Sequence, residues 1–211
     1  MTDSFDLDFK KAEKRHPWPQ KGDLLFTPAP DWWNNARVNF LHDHWETYVD
    51  GYKRAGDVLV EHVKNTHSDQ DTLVYPIVFL YRQYIELRLK IIISDGNHFL
   101  EAKKEFPTHH DIVNLWVECK NIIIKMFVDD PIKDLTALEK CIKEFANIDP
   151  SSESFRYPVD KKGSPNLSEL QHINLRNLSE VMGRIAAFLD SVSMGISVFL
   201  DQKKKIESEY R

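Results

Sequence analysis

The chain has 211 residues, 42% of them apolar and 29% charged, which is enough for one sizeable core in a protein of ordinary globular composition. Its net charge of −5 excludes a global positive field that would attract nucleic acid, and leaves only local basic patches for that role. No apolar run approaches the roughly 18 residues of a membrane-spanning helix, and the acidic start MTDSFDLDFKK lacks a signal peptide's apolar stretch, so we expect a cytoplasmic protein without a membrane segment.

Residues 1 to about 33 are predicted to form an irregular N-terminal arm. Four prolines between positions 17 and 30 exclude a long helix there. Three tryptophans and a phenylalanine between positions 18 and 33 make the segment too apolar for a free tail. We therefore expect the arm to pack onto the domain that follows.

The remainder, residues 34–211, is predicted to be an antiparallel bundle of about five helices. Apolar residues recur there at spacings of three and four, and only seven glycines occur in the whole chain, which argues against a turn-rich β fold. The predicted helices run from about Asn35 to Lys64, from about Thr72 to Ser94 before the breaker DGN, from a capping box at Thr108–Asp111 to the stop at 129–131, over Leu135 to Phe145, and from about Ser168 to beyond Leu200.

The second predicted helix is apolar nearly all round, so we expect it to be the central, most buried one. Within its run YRQYIELRLK, Arg82 and Glu86 are four residues apart, as are Glu86 and Lys90, so both pairs share one helix face. Buried charges need partners. The segment therefore predicts either an ion-pair network that sets the helix register or a polar pocket that recognises a ligand.

Two glycines lie inside the last predicted helix, where each costs up to about 1 kcal/mol relative to alanine. Gly183 and Gly195 can be tolerated because they are exposed, or required because another helix, from this subunit or a second one, approaches closely.

The sequence predicts neither a metal nor a cofactor. His42 and His44 are two residues apart and point to different sides of a helix, and no HExxH or Glu-x-x-His pattern occurs. Phosphate loops, GxSxG and GxGxxG are also absent from the sequence. His109 and His110 are predicted at a helix N-terminus, where the helix dipole disfavours a protonated imidazole, which suits a neutral base.

The loop SSESFRYPVDKKG at 151–163 places Arg156 between Phe155 and Tyr157, with two lysines following. Aromatic rings can stack on bases while cations hold phosphates, so the loop is a candidate nucleic-acid contact. In the structural alternative, the two rings anchor the loop to the bundle and Arg156 reaches inward to a carboxylate such as Glu86.

Three blocks in this order resemble bacterial proteins of the HEPN-like group, the higher-eukaryote and prokaryote nucleotide-binding domains. They are YPIVFLYRQYIELRLKIII at 75–93, the His-Asp-x-x-x-Leu-Trp run at 110–116 and FRYPVDKKG at 155–163. The resemblance spans roughly residues 36 to 200. It implies an all-α bundle, a homodimer, binding or cleavage of RNA, and a role in toxin–antitoxin pairs or phage defence, with a partner protein encoded by a neighbouring gene.

The ribonuclease signature of that group is an Arg followed, after four to six residues, by a His. The one literal match is Arg37–His42, at the predicted start of the first helix, with Val38 where the group commonly has a polar residue. Arg176 and Arg184 on the last helix have no His at that distance.

The resemblance thus implies a non-catalytic or degenerate member that binds nucleotide, RNA or a partner protein. Arg82, Glu86, His110, Arg156 and Tyr157 are the candidate ligand-binding or buried polar residues. One alternative is an active, metal-independent endoribonuclease that uses Arg37 and His42, or a set such as Arg82, His110 and Arg156. The other is a purely structural interaction module.

Overall fold

The structure is a computed structural model that describes residues 18–38, 44–128 and 135–210. It contains five α-helices and one 3₁₀ turn, Trp32–Asn34, and within the described ranges it has no β-strand, only an isolated bridge between Val159 and Pro165. The prediction of an all-α bundle is confirmed. The helices are α1 (His44–Thr66), α2 (Gln70–Phe99), α3 (Ile112–Met126), α4 (Thr136–Ile148) and α5 (Leu175–Glu209).

The chain divides into two compact units, one up to Phe40 and one from Leu41 onward. In the first unit, the described residues 18–38 are irregular apart from the 3₁₀ turn. The Asn35 side chain closes this turn, since its Oδ1 accepts from the Ala29 N–H at 2.8 Å and its Nδ2 donates to the Ala29 carbonyl at 2.6 Å. Trp32 and Trp33 are exposed. The packing of the arm onto the bundle stays a prediction.

In the second unit, α2 is the central helix, as its apolar circumference predicts. It packs against α1, α3 and α5, so apolar side chains are buried on all of its sides. Those with no exposed surface are Ile77, Tyr81, Ile85, Leu89, Ile92 and Ile93.

The predicted end of α2 at residues 95–97 is wrong, because the helix continues to Phe99. A Cβ on Gly96 would lie 2.3 Å from Cγ2 of Ile122 on α3, so this glycine leaves the space that the Ile122 side chain fills. Gly56 likewise allows α1 and α2 to pack closely, since a Cβ on it would lie 2.7 Å from the Tyr81 ring. Close packing therefore outweighs the low helix propensity of glycine at Gly96.

Three predicted helix starts are also corrected. Residues 35–38 are not helical, and α1 begins at His44. The cap of α3 is Asp111 rather than Thr108, because the Asp111 carboxylate accepts from the N–H groups of Val113 and Asn114 and so satisfies two otherwise unpaired donors. Helix α5 starts at Leu175, because the side chain of the cap residue Asn174 accepts from the N–H group of Asn177.

The two glycines of α5 have different surroundings. A Cβ on Gly183 would meet nothing within 4 Å, so this glycine is a tolerated exposed residue. A Cβ on Gly195 would lie 3.0 Å from the ring of Phe127, just after α3, so close approach within the same chain accounts for it.

Helix α5 is long and apolar enough, by length and composition alone, to cross a membrane, with a mean hydropathy of 1.4 over its most apolar 18 residues. The sequence analysis expected no membrane-spanning helix, because α5 combines small and apolar residues without forming an uninterrupted apolar run. Arg184 and Asp190 lie within it, and Leu189 and Ile196 are fully buried in the core. Such a helix also occurs in the cores of globular proteins, so the location of the protein stays a prediction.

Candidate functional site

One face of α2 carries two neighbouring polar features. Phe79, Gln83 and Glu86 recur on it at spacings of four and three, with Arg82 beside them, so they line up along the helix axis. At one end lies a charge network, which we define as Arg82, Glu86, Lys90, His110 and Asp149. At the other end lies a groove formed with the loop that follows α4.

Arg82 ties three segments of the bundle together and has no exposed surface. Its Nη1 donates to Glu86 at 3.0 Å, and its Nε donates to the Asp149 carbonyl at 3.1 Å. Its Nη2 donates to the carbonyls of His110 at 3.0 Å and Pro150 at 3.4 Å. Every nitrogen of the guanidinium thus has a protein acceptor, so Arg82 is not available to hold a phosphate.

Glu86 is the acceptor at the centre of the network, with a side chain that is 2% exposed. Its Oε1 accepts from Lys90 Nζ at 3.0 Å and from His110 Nδ1 at 2.7 Å, while Oε2 accepts from Arg82. Burial raises the pKa of Glu86, but the hydrogen bonds and positive charges of Lys90 and His110 outweigh burial and hold this pKa below its ordinary value. Glu86 is therefore an ionised carboxylate at neutral pH.

His110 is the one exposed member of the network, with 68% of its side chain accessible. Since an ionised carboxylate only accepts hydrogen bonds, the contact with Glu86 requires that Nδ1 carry the proton. The formal charges of Arg82 and Lys90 balance those of Glu86 and Asp149. A carboxylate that holds one ring nitrogen in this way fixes the orientation of the ring and the nitrogen that it engages.

The loop after α4 is anchored to the bundle by one of its two aromatic rings. Phe155 is buried, as the structural alternative predicts, whereas Tyr157 is 55% exposed. Gln83 Nε2 also donates to the hydroxyl of Ser152 at 2.9 Å, and Ser152 is itself buried. The loop thus folds back on α2 while the side chain of Tyr157 stays accessible.

Arg156 does not reach Glu86, so the expected inward ion pair is wrong. Its Nε donates to the Ser152 carbonyl, and its Cζ lies 5.7 Å from the centre of the Phe79 ring and 5.5 Å from that of Tyr157. The oxygens of Glu86 are already occupied by three donors, and Glu86 lies about 10 Å along α2 from Phe79. Within the described ranges, Arg156 is an exposed cation that forms no ion pair.

A groove of about 820 Å³ opens beside Arg156, between the first turns of α2 and residues 154–173. This volume falls in the range of small-molecule sites, about 300–1,000 Å³. Its lining includes three aromatic rings, three amides, the guanidinium and an imidazole, contributed by Tyr75, Phe155, Tyr157, Gln70, Asn166, Gln171, Arg156 and His172.

Only one member of the predicted catalytic pair, Arg37, lies within the described residues. Arg37 is exposed in irregular backbone, in the first unit and before α1 begins, so its predicted place at a helix start is wrong. His42 lies outside the described residues. The role of the pair stays a prediction.

Sequence reasoning found Arg82, Glu86 and His110, which the structure brings together, and missed Asp149, Tyr75 and His172. Asp149 is fully buried beside Arg82, with one oxygen 3.7 Å from Arg82 Nε and without a hydrogen bond. Nothing in its spacing predicts this contact, because 67 residues separate it from Arg82. Within the described ranges no group of three or more His, Cys, Asp or Glu side chains is placed to hold a metal.

No protein-family model, no curated protein and no solved structure matches this chain. The resemblance to HEPN-like proteins therefore rests on the three sequence blocks, and the arrangement of the groove and the charge network carries the functional argument.

Proposed function

We propose that this chain is a non-catalytic, HEPN-like helical module that binds a nucleotide or RNA ligand in the groove beside Arg156. The observation that carries the proposal is the placement of Arg156. Its guanidinium lies against the rings of Phe79 and Tyr157, of which Tyr157 lines the groove, and among the described residues only its Nε has a protein acceptor. Stacking rings beside a cation with free donors are the combination that binds a base and its phosphate.

The charge network gives Arg82 a structural role rather than a binding or catalytic one. Its guanidinium is fully buried and bonded at each nitrogen, so it can support the loop but cannot reach a ligand. The loop that carries Arg156 begins at these contacts. The network therefore positions the groove wall.

The setting that we propose is a cytosolic homodimer that works with the product of a neighbouring gene, in phage defence or a toxin–antitoxin pair. The HEPN resemblance is its support.

Binding is tested with a fluorescein-labelled decaribonucleotide and with the four ribonucleoside monophosphates. We expect Arg156→Ala and Tyr157→Ala each to weaken binding by about fivefold or more, since one stacked base contributes about 1–3 kcal/mol and a hydrogen bond to a charged group about as much. Arg54→Ala, at an exposed arginine of α1, is the matched control and should bind as the wild type does. Failure of the wild type to bind any probe, with Arg156→Ala lowering stability instead, would favour the structural interaction module.

A second function, metal-independent RNA cleavage, is favoured by one observation, the exposed imidazole of His110 oriented by buried Glu86. Cleavage of RNA in EDTA should then disappear in His110→Ala and persist in His109→Ala, the exposed neighbour. Loss of cleavage in Arg37→Ala and His42→Ala would instead assign it to that pair. Intact RNA at high protein concentration would contradict both assignments.

A further inference from the structure

The charge of the groove limits what it can bind. Among the described residues that line it, Arg156 is the only Lys or Arg and Asp71 is the only Asp or Glu, so their formal charges cancel. A nucleic-acid strand carries one phosphate charge per nucleotide, and proteins that hold strands supply a row of cations along the backbone. The groove offers a single cation.

The basic residues nearest in sequence do not extend that cation into a row. Lys161 and Lys162 follow Arg156 on the same loop, yet neither lines the groove. Lys161 lies 3.4 Å from Glu153, which partly offsets its charge. The whole chain has a net charge of −5, so its surface does not attract a polyanion at long range.

The lining around Arg156 suits one base. Tyr75 is 49% exposed and Tyr157 is 55% exposed, so both rings have accessible surface. Gln70 and Gln171 supply amides that can both donate and accept, and Asp71 can accept from an exocyclic amino group. These groups match the hydrogen-bonding edge of a base.

We propose that the groove takes a single nucleotide with one phosphate, a nucleoside monophosphate, rather than a nucleic-acid strand. The base lies against the tyrosine rings, its edge faces Asp71 and the glutamines, and the phosphate is held by Arg156. This inference rests on the proposed function and specifies the ligand of the same groove.

Calorimetry compares the four monophosphates with an unlabelled mixed-sequence decaribonucleotide at several salt concentrations. We expect at least one monophosphate to bind. The decamer should bind at most about tenfold more tightly, because it offers about ten nucleotides to one site, and both affinities should show the same salt dependence, that of about one phosphate contact.

Two variants sharpen the comparison. Arg156→Ala should weaken monophosphate binding by about fivefold or more. Lys162→Ala, at an exposed lysine outside the groove, should leave the binding of both ligands unchanged.

Three results would overturn this inference while leaving nucleotide binding in place. They are a decamer that binds more than about 100-fold tighter than any monophosphate, a salt dependence equivalent to three or more phosphate contacts, and loss of decamer binding in Lys162→Ala. If neither ligand binds, the proposed function itself fails, so the two failures are distinguishable.

Discussion

At the scale of single residues, two arginines on neighbouring segments have opposite roles. Arg82 has no exposed surface and connects α2 to the segments before α3 and after α4. Arg156 is exposed and rests on aromatic rings. The sequence places both beside apolar residues, so periodicity alone does not tell which one is buried. The difference arises because the loop returns to α2 with its backbone carbonyls facing Arg82.

Replacing Arg82 by methionine should lower the free energy of unfolding by about 3–5 kcal/mol, because Glu86 and Asp149 would stay buried with one cation fewer. Urea unfolding followed by circular dichroism measures the change. Arg156→Met is the matched control and should cost less than about 1 kcal/mol, as expected for an exposed side chain. Similar losses in the two variants would contradict the assignment of Arg82 as the structural arginine.

Glu139 of α4 should contribute a measurable pH dependence of stability. Hydrogen bonds from Lys120, Lys143 and Trp116 lower the pKa of Glu139 from its ordinary value of 4.5 to about 2 in the folded protein. Because the folded-state pKa is lower, this contribution is complete above pH 4.5 and is lost as the pH falls toward 2.

We therefore expect Glu139→Gln to be less stable than the wild type near neutral pH and the difference to shrink on acidification below pH 4.5. Urea midpoints measured at several pH values give this difference. A gap that stays constant down to about pH 2.5 would show that Glu139 is not held by these donors.

At the scale of the helices, caps and packing decide the ends where local propensity predicts them poorly. DGN at 95–97 is a breaker by propensity, yet α2 passes through it. Burial of the surrounding surface against α3 stabilises the helix by more than the intrinsic cost of Gly96, about 1 kcal/mol. At α3 and α5, the side chains of Asp111 and Asn174 select the first turn by accepting its free N–H groups.

The two kinds of helical glycine should respond oppositely to alanine. Gly96→Ala should lower stability by about 1–3 kcal/mol, because the new methyl group would overlap a branch of Ile122, which is buried and close to its own backbone. Gly183→Ala should raise stability by up to about 1 kcal/mol, because that position is open and helical. Thermal unfolding of both variants tests this, and a stabilised Gly96→Ala would contradict the close crossing of α2 and α3.

At the scale of the whole molecule, the described core side chains all lie between Val49 and Ile196, within the second unit. The groove and the charge network belong to this unit and lie along its central helix. The groove and the charge network thus meet on α2, where the face that anchors the loop also contributes Tyr75 to the groove.

The sequence by itself determined the all-α class, the five helices and the central position of α2, because the spacing of apolar residues reports directly which faces are buried. It also determined the Arg82–Glu86 and Glu86–Lys90 pairs, since contacts four residues apart follow from helix geometry alone.

Only the tertiary structure decided that His110 and Asp149 complete the network and that Arg156 remains at the groove. Such partners lie tens of residues apart in the chain, and a buried charge takes whichever complementary group the folded backbone brings within reach. The continuation of α2 through Gly96 was decided in the same way, by close packing against α3, and the starts of α3 and α5 were decided by the side-chain caps Asp111 and Asn174.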